Sequence, residues 1–313
     1  MRSKFMASSL LQRFDALTPS TKGMWLGLCA MALFGLTLPM TRLAIGSNAA
    51  PQLSPWFVTF GRAVVAAILS IALLTITRSP WPDRKQWRAL IIAALGNAIG
   101  YPLLLAFALR SVTASHAAVI TALLPLVTAV AAAWTLRQRV GVGFWLCACT
   151  GTALVVVYSL LRSSSSGSGF QLDMADLLLV AAVLAASVGY VQGALVTPAL
   201  GAERVICWVT VISLPVTLPG ALLTWPATSV TGTAWIGFAY VGLFSMWVAF
   251  FAWYRALALG GSVRVSQVQL LQPFFAMAFS VPLLGEKLDP LTLGFGAAVV
   301  FTVYLGKRLS SRP

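Results

Sequence analysis

Apolar residues fall into ten long blocks, roughly 25–45, 56–77, 89–110, 116–136, 140–161, 174–196, 204–225, 234–256, 264–284 and 288–306. Each block is about as long as the hydrocarbon of a bilayer is thick, which takes about 20 residues of helix. The strands of a membrane barrel need only about 9–11 residues, so blocks of this length predict helices. In hydrocarbon the backbone must satisfy its own N–H and C=O groups, and a helix does so within one segment. The pattern therefore predicts an all-α polytopic membrane protein with ten transmembrane helices. Many blocks end in helix-breaking punctuation: Gly46-Ser47-Asn48, Ser79-Pro80-Trp81-Pro82, Gly260-Gly261 and Asp289-Pro290. Such clusters sit where backbone meets water. The longest polar break, Arg162 to Gln171, is rich in Ser and Gly and reads as a flexible linker.

Composition agrees with the pattern. Hydrophobic residues make up 59% of the 313 residues and charged ones 9%, with mean hydropathy +0.90. Soluble proteins carry about 25% charged residues, so an ordinary soluble domain is excluded. The net charge of +14 does not point to nucleic acid, because the basic residues form short caps between apolar blocks and no continuous stripe. Cys29, Cys147, Cys149 and Cys207 all lie inside apolar blocks and read as small buried residues, not metal ligands. The first 23 residues lack a sustained apolar core and read as a tail, not a cleaved signal peptide.

Lys and Arg set the orientation. One side holds the basic residues of the N-terminal tail and of the 78–88 loop, then Arg137, Arg139, Arg204, Arg255, Arg264 and the C-terminal Lys307, Arg308 and Arg312. The other side holds only Arg42, Arg110, Arg162 and Lys287. This bias predicts an inner-membrane protein with both termini cytoplasmic, which requires an even number of spans.

The two halves of the chain resemble each other. Leu123-Leu124-Pro125 matches Leu271-Gln272-Pro273, Gln138-Arg139 matches Glu286-Lys287, and Ala108-Leu109 matches Ala256-Leu257, all at one offset of 148 residues. That offset spans five helices, so equivalent helices cross in opposite senses. Two inverted five-helix repeats result, a pattern of many secondary transporters. The organisation expected is a tail (1–23), a first repeat (24–162), a linker (163–173), a second repeat (174–306) and a tail (307–313).

No enzyme constellation is present. There is one histidine, His116, and the seven acids (Asp15, Asp83, Asp173, Asp176, Glu203, Glu286 and Asp289) lie near block ends or in tails. No metal or cofactor motif is found. The polar residues inside the blocks carry two readings each. Arg62 either orients an anionic group of a solute or snorkels to the surface and bonds helix-end carbonyls. Arg42 carries the same pair of readings. Gln267, Gln269 and Gln272 either bind solute or bond neighbouring helices. Asn97 and Tyr101, Tyr190, and the series Trp247, Phe251 and Tyr254 either line a cavity or pack. Thr121, Pro125 and Thr128 share one helix face. Pro39, Pro125 and Pro273 permit kinks, of gating or merely tolerated. His116 is either a proton carrier or inert.

Several motifs carry a family resemblance. They are Phe34-Gly35 with Pro39 and Arg42, Phe60-Gly61-Arg62, Ala122-Leu123-Leu124-Pro125, Leu271-Gln272-Pro273-Phe274-Phe275, and Leu284-Gly285-Glu286. Over residues 25 to 306 the chain resembles the EamA family of the drug/metabolite transporter superfamily. It departs at Gln138, where the family usually has an acid. The resemblance implies ten helices, a central cavity and alternating access. The expectation is a non-enzymatic transporter with no cofactor, no metal and no nucleic-acid partner. Its partners are the lipid bilayer and a small organic solute, amino-acid-like, moved outward. An importer of a vitamin or nutrient, and a membrane-embedded enzyme or non-transporting assembly subunit, are the alternatives. Arg62, Asn97, Tyr101, Tyr190, Trp247, Tyr254, Gln269 and Gln272 are the substrate-binding candidates.

Overall fold

The computed structural model describes residues 18–135, 141–165, 173–260 and 266–310. Gln138, Arg137, Arg139, Arg264 and the N-terminal tail before residue 18 lie outside them. Among the described residues, seven helices are long and apolar enough to span a bilayer: α1 (Thr21–Ile45), α2 (Pro55–Ile76), α3 (Arg84–Ala108), α4 (Ala114–Thr135), α6 (Met174–Leu200), α7 (Ala202–Leu223) and α8 (Gly232–Trp253). Three shorter apolar helices complete the series: α5 (Trp145–Leu161), α9 (Val268–Leu284) and α10 (Pro290–Gly306). The protein is thus an all-helical polytopic membrane protein, and these helices coincide with the ten apolar blocks. Odd-numbered helices start at the face that holds both described chain ends, called here the terminal face. They end at the opposite face.

Neighbours come in matched sets. Helix α1 packs on α8 and α9, and α6 packs on α3 and α4. Helix α2 packs on α7 at the centre, and α5 packs on α10. Exchanging the two halves maps this set onto itself, as a pseudo-twofold axis requires.

Several helices are locally irregular, and the causes are visible in the chain. Proline has no N–H to donate four residues back. In α1 the regular helix stops at Gly35 and resumes at Thr37, the stretch whose bond Pro39 removes. In α4 it is interrupted between Thr121 and Leu124, one turn before Pro125. Helix α9 starts as a 3₁₀ turn over Ser266–Leu271 and becomes α-helical at Gln272, beside Pro273. Helices α3 and α8 each contain a π-helical stretch, Ala94–Gly100 and Val241–Val248. These two stretches are equivalent under the 148-residue offset, and such bulges concentrate at functional sites.

Close helix approaches depend on glycine. A Cβ on Gly96 would sit 2.4 Å from the Ala185 carbonyl oxygen and 3.0 Å from Gly189 Cα, so α3 and α6 touch backbone to backbone. On the other side of the pseudo-axis a Cβ on Gly237 would sit 2.6 Å from the Met40 carbonyl oxygen, where α8 meets α1. Small residues at such crossings are the general device of membrane helix packing. Gly96→Ala is expected to cost about 1–3 kcal/mol by overpacking, read as a lower unfolding temperature in detergent. Gly294→Ala, on open space in α10, should lose nothing and gain helix propensity of up to about 1 kcal/mol.

Candidate functional site

The candidate site is a cavity of about 660 Å³ between the halves. Its deep end is formed near mid-span by Thr37, Arg62, Tyr101, Thr121 and Ser245. From there the lining runs along Thr197, Val205, Phe250 and Trp253 toward the terminal face. Arg62 lies about two turns into α2 and is 4% exposed. It reaches α8, where its Nη2 donates to Ser245 Oγ at 3.0 Å, and Ser245 Oγ in turn lies 2.8 Å from Thr37 Oγ1 on α1. Three helices are thereby pinned around one guanidinium. Its Nε has no partner, and Asn97 Oδ1, also in the cavity wall, has none either. Tyr101 and Tyr190 are close enough to Arg62 to interact with it electrostatically. An arginine near mid-membrane costs about 2.5–3.5 kcal/mol on insertion scales, so the bonds to α8 and α1 offset a real penalty.

Of the residues singled out from the sequence, Arg62, Asn97, Tyr101, Tyr190, Gln269 and Gln272 line this one cavity. Thr121 and Thr128 line it too; Thr121 Oγ1 bonds back to the Ala117 carbonyl at 2.8 Å, and Thr128 Oγ1 donates to Ser187 Oγ at 3.2 Å. Trp247 lies elsewhere. It is absent from the wall and packs in an apolar cluster with an edge-on contact to Phe251, ring centroids 4.7 Å apart. Ser245, Met246, Phe250 and Trp253 face the cavity instead, the last three with the same four-then-three spacing one residue earlier. The side chains of Tyr254 and Gln267 lie outside the described residues. Sequence reasoning missed Thr37 and Ser245, although each is a small hydroxyl residue within an apolar stretch. Arg42 takes the structural role: its Nη1 donates to the Leu109 carbonyl at the end of α3.

Away from the terminal face, polar bonds tie the halves together. Glu286, placed just past α9 by the left-handed Gly285 (φ 66°), accepts from the Ala114 N–H at 2.7 Å, the Ser115 N–H at 3.0 Å and Ser115 Oγ at 2.6 Å. A carboxylate at a helix N-terminus also meets its positive dipole end. Ser115 Oγ lies 2.7 Å from Ser280 Oγ, and Tyr158 Oη 3.1 Å from Thr292 Oγ1. His116 donates Nε2–H to Asp176 Oδ1 at 2.6 Å, both side chains being buried. Gln52 Oε1 accepts from the Thr231 N–H and hydroxyl at 3.0 and 2.9 Å. Phe57 stacks with Phe238 and meets Trp225 and Trp235 edge-on. The cavity is thus sealed at this face.

The profile of one known family matches residues 21–160 and 173–306. The chain belongs to the EamA-like transporter family. It is similar to the uncharacterized transporter YdeK of Bacillus subtilis, 36% identical over 295 residues, 93% of this chain and 99% of that protein. It is 24% identical over 266 residues to the chloroplastic WAT1-related protein At3g02690 of Arabidopsis thaliana, covering 82% of this chain and 63% of that one. The uncharacterized transporter sll0355 of Synechocystis is 24% identical over 268 residues, 80% of this chain and 81% of that protein. A crystal structure with 18% identity superposes with a TM-score of 0.63 over 93% of this chain and 97% of that chain, a likeness of fold. This EamA chain is therefore a multi-pass membrane transporter of a small solute.

The buried His116–Asp176 pair bridges α4 and α6. Removing one partner strands the other, which costs about 3–5 kcal/mol. His116→Ala should destabilise the protein by that amount in thermal unfolding, and adding Asp176→Ala should recover most of it.

Proposed function

We propose that this EamA transporter exports amino acids or related zwitterions across the inner membrane by alternating access, with both termini in the cytoplasm. The observation that carries the reading is that one cavity is lined by both Arg62 and Asn97, a buried guanidinium and a buried amide that each keep one atom without a protein partner. A carboxylate pairs with the guanidinium, and an amine pairs with the amide. Gln269 and Gln272 add amides, and Tyr101, Tyr190, Phe250 and Trp253 add ring surface for an organic side chain. Unmet buried donors and acceptors are costly when empty and selective when filled.

The conformation fits the same reading. The wall reaches the terminal face, which the Lys and Arg distribution assigns to the cytoplasm, while bonds around Glu286 close the other side. A carrier in this state is ready to load from the cytoplasm. Reopening on the far side requires the bonds of Glu286, Ser280 and Gln52 to break. The interruptions beside Pro39, Pro125 and Pro273 provide places for α1, α4 and α9 to bend as they do.

Purified protein in liposomes, challenged with labelled amino acids, tests the reading; absence of flux for every one under any gradient would sink it. Arg62→Ala should lower flux of carboxylate-bearing solutes at least tenfold, as loss of one charge-assisted bond of about 1.5–3 kcal/mol implies, at unchanged membrane expression. Pro273→Ala should slow turnover more than it weakens binding, compared by initial rates and by ligand-induced thermal shift. Equal losses would make that proline structural.

A further inference from the structure

Resting on the reading of the 660 Å³ cavity as the solute site, the charges in its wall lead one step further. Arg62 is the one charged residue in the cavity wall among the described residues. None of Asp83, Asp173, Asp176, Glu203, Glu286 and Asp289 lines it, and neither does His116. Of these, Asp176, Glu286 and His116 are engaged at the sealed face, across the halves. The guanidinium keeps Nε without a partner while 4% exposed, and Nη2 donates to a neutral hydroxyl, Ser245 Oγ. The wall therefore contributes a net +1 from the described residues, and a solute bearing a negative charge balances it.

We propose that, among amino-acid-like solutes, the preferred cargo carries one net negative charge, its nitrogen capped or outweighed by a further acid group, and that each full transport cycle carries one net negative charge outward. The loaded cavity is then neutral and crosses conformations without an uncompensated ion. A zwitterion leaves the +1 in place and has to settle its ammonium on amides and rings alone. A cation faces like-charge repulsion from Arg62. With a negative cell interior, outward movement of an anion is downhill in the membrane potential. Export then needs no proton carrier in the cavity, and the wall provides no carboxylate or imidazole to act as one. The Asn97 amide oxygen is suited to the N–H of a capped nitrogen as well as to an amine.

Three probes share one ring and differ in charge: N-acetylphenylalanine (anion), phenylalanine (zwitterion) and phenethylamine (cation). Proteoliposomes with valinomycin and tenfold higher potassium outside become positive inside. A carried monoanion then accumulates inside until its ratio matches the potassium ratio, about tenfold, whichever way the protein is inserted. The expected result is about tenfold accumulation of N-acetylphenylalanine, exclusion when the gradient is reversed, and no accumulation of phenylalanine beyond equality. Arg62→Gln, verified as folded by its elution profile, should abolish accumulation of the anion and the rise in unfolding temperature that N-acetylphenylalanine gives the wild type. The proposal is overturned if the anion ignores the potassium gradient, if only phenylalanine or phenethylamine moves, or if Arg62→Gln still accumulates the anion tenfold. If only phenylalanine moves, the transport reading survives and this one fails. If none of the three moves and no amino acid does either, both fail.

Discussion

A guanidinium held at mid-span with part of its hydrogen-bonding capacity unmet is the constraint around which the bundle is organised. Lipid cannot solvate it, and water reaches it only through the cavity. Its position forces two hydroxyls, Ser245 and Thr37, into an apolar layer to hold it. Those hydroxyls fix α8 and α1 against α2, the helices whose separation sets the width of the cavity. Packing alone would favour a smaller void, because protein interiors fill to crystal-like density. A 660 Å³ space lies beside Arg62.

The sealed face follows the opposite rule. Both Glu286 oxygens accept bonds, and the carboxylate sits where a helix start offers free N–H groups. Such bonds are strong in a dry setting yet exchangeable for water when the face opens. Apolar contacts at the same place, such as the ring cluster of Phe57, Trp225, Trp235 and Phe238, keep solvent out while the bonds are made. Polar closure at one end and an unsatisfied charge in the middle are what a two-state carrier needs. On the proposed reading, the closed face reopens and the middle takes up solute.

Much of the fold was legible in the chain because lipid leaves the backbone few choices. Block length set the helices, and boundaries fell within a few residues of Ile45, Ile76 and Leu284 because Gly, Ser and Pro clusters mark them. The site was legible where a residue type is costly in oil: Arg62, Asn97, Gln269 and Gln272 have no cheap place to be except a polar cavity or a helix contact. Trp247 packs away from the cavity wall, as a tryptophan can do comfortably, and Met246, Phe250 and Trp253 line it with the same spacing one residue earlier. The pairing of His116 with Asp176 was hidden. They are 60 residues apart, and only the docking of α6 on α4 brings them together.

The repeat explains where the polar positions are, and its divergence explains what they do. Under the 148-residue offset Asn97 corresponds to Ser245, Thr121 to Gln269 and Leu124 to Gln272, and all six line the cavity. A pseudo-twofold axis brings equivalent positions of both halves to the same central space, so polar groups at those sites meet whatever their identity. Arg62 breaks the pattern. Its counterpart is Thr210, which turns away and donates to Ser70 in the α2–α7 contact. Two arginines at equivalent positions would face each other across the axis and repel. One arginine opposite a hydroxyl leaves a single charge in a nearly symmetric site. The loss of symmetry at this one pair therefore gives the cavity a sign, and with it a reason to discriminate among solutes of equal size.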